Sequence, residues 1–187
     1  MITSYNVFVP VIMGSGASLR TGLKVRELGC KKVMVVYDKG LKATGIPDTI
    51  VENIKNAGID TVCFDGVLPD PPDTMVEEAA DIARKEEIDG IVAVGGGSAI
   101  DTAKGINVLI NNEPPIMQYF GVQKNLRPGV PAVFIPTTSG TGSEVTNMCV
   151  ISCTSLGKKD SVVSPFCVAK LAILDPDLTL GLPPKMT

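Results

Sequence analysis

Two short stretches hold most of the residues able to do chemistry. Gly95-Gly96-Gly97-Ser98-Ala99-Ile100-Asp101 follows an apolar run and opens a segment of helical spacing. Glycines there permit close backbone approach to an anion, and the helix start adds about half a positive charge. Ser98 and Asp101 stand in the S-x-x-D relation of a capping box, which would fix the helix start and aim its amides outward. Neither standard nucleotide fingerprint is met: Ile100 occupies the third glycine of G-x-G-x-x-G, and Lys104 precedes Gly105 without a Gly-Lys-Ser/Thr sequence. Gly14-Ser15-Gly16 fails the first pattern too, because Leu19 takes its third position. The second stretch, Pro136 to Thr146, packs hydroxyl side chains and glycines behind another apolar run. Hydroxyls donate and accept, so the loop suits a ligand rich in oxygen, such as a ribose, a pyrophosphate or a carboxamide.

Asp38 lies just past Val33-Met34-Val35-Val36-Tyr37. An acidic side chain there can accept both hydroxyls of an adenosine ribose and repel a 2′-phosphate, favouring NAD over NADP; a turn-forming Asp is an equal reading. Lys158-Lys159 offers charge for a phosphate or ribose, or simply solvates a surface. Asp65, Asp70 and Asp73 are too irregular for a calcium loop and read as caps and turns. The chain has no histidine, so it cannot itself supply Ser-His-Asp or Cys-His catalysis or imidazole ligands to a metal.

The elements that must position these residues alternate. Val33–Tyr37, Thr61–Phe64, Ile91–Val94, Val133–Ile135 and Leu171–Leu174 read as strands, the first apolar on both faces. Between them Ile46, Ile50, Val51, Ile54 and Ala57 recur at helical spacing, with Gly58 as the stop. Met75, Val76, Ala79, Ile82 and Ala83 form the next stripe, with Asp73 as its cap, and Ile100, Ala103, Ile106 and Ile110 the last. The pattern predicts an α/β domain with a mostly parallel, Rossmann-like sheet flanked by helices, whose ligand sits beyond the carboxyl ends of the strands. Asn111–Pro131 reads as linker.

In the 187 residues, 17 Lys+Arg against 20 Asp+Glu give a charge of −3, which argues against a nucleic-acid partner. With 44% hydrophobic and 20% charged residues the composition is that of one globular domain. No apolar run approaches the roughly 18–20 residues of a membrane span, so no membrane partner is expected. The first 19 residues lack charge, but Val7–Met13 is short, broken by Pro10 and preceded by no Lys or Arg, and reads as a buried strand rather than a signal peptide. Five cysteines without C-x-x-C suggest a reducing, cytoplasmic setting.

Four landmarks in order resemble the iron-containing (group III) alcohol dehydrogenase family, of dehydroquinate-synthase-like fold. They are Tyr37-Asp38-Lys39-Gly40-Leu41, the run from Val94 to Lys104, the run from Ile135 to Thr146, and Leu174-Asp175-Pro176-Asp177-Leu178-Thr179. The resemblance implies that residues 1–187 are the NAD-binding half of a two-domain enzyme, whose helical second domain holds iron or zinc and is absent here. It implies that Asp38 meets the adenosine ribose, that Gly96, Gly97, Ser98 and Asp101 hold the pyrophosphate and its surroundings, and that Thr137, Thr138, Thr141 and Ser143 line the cleft. Val150 and Leu178 would be wall contacts, and Lys159 would touch the nicotinamide-side ribose. No catalytic or metal-ligating residue is expected within the chain. The whole enzyme would transfer hydride between nicotinamide and a small primary alcohol or aldehyde, as a homo-oligomer. Glycerol dehydrogenase, a dehydroquinate synthase-like enzyme and a stand-alone nucleotide-binding module are the alternatives. Three positions depart from the pattern: Asp70 where Asn is common, Cys153 where an acidic residue is frequent, and Phe166 where histidine often follows Ser-Pro.

Overall fold

The computed structural model describes residues 9–122 and 126–182. Its strands are β1 (Val11–Met13), β2 (Lys32–Val36), β3 (Asp60–Phe64), β4 (Gly90–Gly95), β5 (Gly121–Val122), β6 (Ala132–Pro136), β7 (Met148–Cys153), β8 (Lys158–Val163) and β9 (Leu171–Leu174). Its α-helices are α1 (Thr21–Glu27), α2 (Lys39–Lys42), α3 (Ile46–Asn56), α4 (Asp73–Lys85) and α5 (Gly97–Ile110). Six strands form one sheet in the order β1-β9-β6-β4-β2-β3, and every neighbouring pair in it is parallel. The expected α/β fold is therefore present.

Alternation along the central strands divides the interior into two cores. Met34, Val36, Ile91, Ala93 and Phe134 face one side, where Val76, Ala79, Ala83, Ile100, Ala103 and Ile106 from α4 and α5 cover them. Val33, Val35, Val92, Val94 and Ile135 face the other, under Val25 of α1 and Ile50 and Ile54 of α3. A strand apolar on both faces is what a sheet sandwiched between helices requires. Each fully buried isoleucine of α3 contributes roughly 1.5–3 kcal/mol of apolar transfer. Helix α3 begins at Gly45, left-handed at φ 76°, carries Pro47 in its first turn, and ends at Ala57 before Gly58 at φ 80°. The close approach of α4 to α5 depends on Gly105, where a Cβ would lie 2.8 Å from Val76 Cγ1.

Several local expectations are corrected. The buried strand placed at Val7–Met13 is, among the described residues, an edge strand, Val11–Met13, that pairs with β9 alone, and its Met13 is 76% exposed. Val7 and Phe8 lie outside the described residues. Ile82 is exposed and Ala80 buried in its place, since the stripe follows the 75-76-79-80-83 face of α4. Asp73 is the first residue of α4, after Pro72, and its carboxylate accepts the Thr74 amide at 3.0 Å as well as the Thr154 amide and hydroxyl. Asn111–Pro131 is not a simple linker: Ile116 is fully buried, β5 pairs with β8, and Asn107 Oδ1 accepts the Val130 amide at 2.8 Å. Residues 123–125 of that stretch lie outside the described residues.

A hairpin unread in the sequence completes the domain. Strands β7 and β8 are antiparallel and form a second sheet with β5. Cys149, Ile151 and Cys153 face inward at a period of two, which was the signal for β7.

Candidate functional site

The sheet order sets the site. From β2 the chain steps outward to β3, then returns across β2 to reach β4, so β2 and β4 are neighbours whose following segments leave in opposite directions. Such a switch point opens a crevice at the carboxyl ends of the strands. There the structure has a cleft of about 710 Å³, lined by Asp38, Lys39 and Gly40 after β2, by 65–69 after β3, by Gly96, Gly97, Ser98 and Ala99 after β4, and by Thr138, Ser139 and Thr141 after β6.

Strand β4 ends at Gly95, whose φ of 150° favours glycine, and Gly96 turns the chain into α5. The capping box is not formed. Gly96 is the N-cap, Ser98 lies inside the helix, and no side chain caps it. The first amides of a helix have no intrahelical acceptor, and here Gly97 and Ser98, at that position, line the cleft. A Cβ on Gly96 would sit 3.2 Å from Thr138 Oγ1, so the glycine turn fits directly against the β6 loop.

Asp38 caps the short α2, its Oδ1 accepting the Leu41 amide at 2.8 Å, as the turn-forming reading expects, and it also lines the cleft. Thr138 Oγ1 is buried in the cleft wall with no hydrogen-bond partner among the described residues. A buried unanswered hydroxyl costs about 1–3 kcal/mol, and a ligand oxygen or nitrogen at this wall would relieve it.

The cleft thus brings together Asp38, Gly96, Gly97, Ser98, Thr138 and Thr141 of the expected site residues. The others stand apart from its lining. Thr137 is buried, and its amide donates to Gly95 O at 3.0 Å, extending the sheet. Asp101 is engaged with the loop after β6 and with β7: its Oδ1 accepts the Ser143 hydroxyl at 2.5 Å and its Oδ2 the Val150 amide at 3.2 Å. Lys159 Nζ lies 2.6 Å from Asp70 Oδ1. Leu178 packs against the α3 side of the core and lines a second cavity of about 330 Å³ with Gly45 and Ile46.

Sequence reasoning missed the loop after β3, whose Gly66, Val67, Leu68 and Pro69 form one wall of the cleft. The strand-end rule could have found it. It also missed Lys104, which is 1% exposed on α5. Lys104 Nζ donates to the carbonyls of Ser143 at 2.6 Å, Thr146 at 3.0 Å and Met148 at 2.7 Å. Burial lowers the Lys104 pKa, and burial raises that of Asp101 against the bonds from Ser143 and Val150.

Two arms of evidence meet on this architecture. Residues 9–176 match the family model for iron-containing alcohol dehydrogenase, and the chain belongs to that family. It is 38% identical over 184 residues to the NAD-dependent methanol dehydrogenase of Bacillus methanolicus, an alignment covering 97% of this chain and 48% of that one. The crystal structure of a 1,3-propanediol oxidoreductase superposes with a TM-score of 0.94 at 37% identity, covering 99% of this chain and 49% of the other. Sulfoacetaldehyde reductase from Bifidobacterium kashiwanohense, solved in complex with NAD+, gives 0.91 at 32% identity, over 100% and 49%. The chain spans about half the length of the curated relatives it matches.

Proposed function

We propose that this chain is the NAD-binding domain, spanning residues 1–187, of a metal-dependent alcohol dehydrogenase acting on a small primary alcohol or aldehyde. The observation that carries the reading is the cleft itself. A turn without side-chain caps presents helix amides, Asp38 stands at the end of the neighbouring strand β2, and on the other side, after β6, the Thr138 hydroxyl is buried with no hydrogen-bond partner among the described residues. These residues fit a dinucleotide: the α5 amides for the diphosphate, Asp38 for the adenosine ribose, and Thr138 and Thr141 for polar groups along the wall. The names of the relatives, methanol dehydrogenase and sulfoacetaldehyde reductase among them, support the same chemistry.

When bound, NAD supplies the hydride acceptor. The work of these residues is to bind and orient it. The expected iron or zinc would have to be held by other residues. The chain has no histidine, and among the described residues no group of three or more Cys, Asp or Glu is placed to hold an ion. A cytoplasmic location and homo-oligomerisation belong to the same proposal, the latter supported by Val11 and Met13 exposed on the edge strand β1. Among the described residues no helix is long and apolar enough to cross a membrane.

Calorimetric titration with NAD, NADP and ADP tests the reading. Saturable NAD and ADP binding, weaker NADP binding, and loss of both ligands in Gly96→Val are expected. Wild-type protein that binds neither NAD nor ADP at millimolar concentration would overturn it. The 187-residue chain alone, given NAD, alcohol and iron or zinc, is expected to show no turnover.

A further inference from the structure

Among the described residues, the charged side chains lining the cleft are Asp38, Lys39 and Asp65. Both acids are engaged. The backbone of Asp38 is bridged to Gly66, and its Oδ1 accepts the Leu41 amide at 2.8 Å. Its Oδ2 lies toward the glycine turn, where a Cβ on Gly95 would be 3.9 Å away. Asp65 Oδ2 stands 3.9 Å from Lys42 Nζ. Lys39 differs from both. It is the first residue of α2, directly after the Asp38 cap, and it is exposed. Its ammonium has no hydrogen bond or ion pair among the described residues, although it lines the same cleft.

The crevice therefore offers an anionic ligand two separate attractions, the first amides of α5 after β4 and an uncommitted ammonium after β2. The helix start is a fixed cradle carrying about half a positive charge, suited to a diphosphate. The lysine is a point charge on a flexible stem, able to follow a phosphate held by other contacts. A neutral ribose edge beside these two neighbours gains from the acid. An added phosphate there is repelled by Asp38 and attracted by Lys39.

We propose that Lys39 is a specificity-determining residue, which offsets the repulsion from Asp38 and lets the cleft accept a dinucleotide bearing a phosphate on its adenosine ribose. This rests on the dinucleotide reading of the cleft. It adds that the choice between NAD and NADP is a difference between two adjacent side chains rather than the act of Asp38 alone, so exclusion of the second is partial.

The test is calorimetric titration of the 187-residue chain with NAD, NADP and ADP at low salt, in wild type, Lys39→Met and Lys39→Arg. Lys55→Met, an exposed position in the last turn of α3 and outside the cleft lining, controls for overall charge. Wild type should prefer NAD to NADP by no more than about tenfold. Lys39→Met should weaken NADP about fivefold, the scale of one exposed charge pair, with NAD and ADP held within about twofold. Lys39→Arg and Lys55→Met should keep the wild-type affinity for NADP, and the loss in Lys39→Met should shrink at high ionic strength. NADP affinity unchanged in Lys39→Met, or lowered equally in Lys55→Met, would overturn the proposal. So would an equal loss of all three ligands in Lys39→Met, which would put the ammonium on the part they share. A wild type that binds NAD and ADP but no NADP at millimolar concentration would overturn it as well. Failure of wild type to bind ADP or NAD at all would instead overturn the dinucleotide reading.

Discussion

Lys159 on β8 and Asp70 in the loop after β3 form an ion pair with Nζ 2.6 Å from Oδ1, linking that loop to the β7–β8 hairpin, which it also meets where the Ser152 amide of β7 donates to Pro71 O at 2.8 Å. The resemblance expects Lys159 to touch the nicotinamide-side ribose, so Asp70 competes for the same ammonium group. Both side chains are more than half exposed, and such pairs contribute about 0–1 kcal/mol. Asp70→Asn should therefore leave stability within about 1 kcal/mol while tightening NAD binding a few-fold at low salt. The gain should fade at high ionic strength. Asparagine is the right replacement because Asp70 has φ 52°, a conformation Asn tolerates well. Equal NAD affinity for both proteins at low salt would contradict this.

Removing the Lys104 ammonium leaves the carbonyls of Ser143, Thr146 and Met148 short of a donor. Lys104→Met should cost about 3 kcal/mol in urea unfolding, within the range for losing charged hydrogen bonds in a buried site. Unfolding free energies within about 0.5 kcal/mol of wild type would refute that account.

Acid stability should be governed by Asp73 and Asp175. Burial alone would raise Asp175, but the hydroxyl and amide of Ser18 and the amides of Asp177 and Gly16 outweigh it and hold the carboxyl below its ordinary range. Asp73 is lowered in the same sense, its burial outweighed chiefly by Thr154 and the Thr74 amide. A depressed folded pKa gives stability that is complete above the unfolded value of about 3.9 and is lost as pH falls through the folded one. Asp101, raised by burial, has the opposite sign, its contribution falling as pH rises through its folded pKa. Urea unfolding from pH 2 to 7 should show the acid limb, and Asp175→Asn should flatten it. An unchanged limb in that variant would assign acid sensitivity elsewhere.

Gly105→Ala should destabilise the fold by about 1–3 kcal/mol through overpacking, offset in part by better helix propensity of about 1 kcal/mol. The added methyl would meet Val76 Cγ1 at 2.8 Å and Ile116 Cδ1 at 3.2 Å. With the first neighbour shortened, the double variant Gly105→Ala with Val76→Ala should lose less stability than the sum of the two single losses. Strict additivity would mean that the two positions do not meet.

Much of the sheet was legible because its strands are buried on both faces: Val33–Val36 and Ile91–Val94 read as unbroken apolar runs. The glycine turn, Asp38 and the hydroxyl loop were legible because they follow those strands. The hairpin was not read, since Lys158-Lys159-Asp160 at the start of β8 carries charge where a strand signal was sought. The capping box of Ser98 and Asp101 is not formed, because spacing is the same whether a carboxylate folds back to cap its own helix or reaches across to another chain segment. The partner that decides, Ser143, lies 42 residues away.

Helix α5 offers its first amides to the cleft, while Asp101 and Lys104 on the same rod hold Ser143, Thr146, Met148 and Val150. The glycine turn in the cleft and the far end of the hydroxyl loop are consequently referred to a common axle. Any tilt of that axle displaces both together, so the spacing between them is kept to the tolerance of one rigid helix rather than of the loops that carry the contacts.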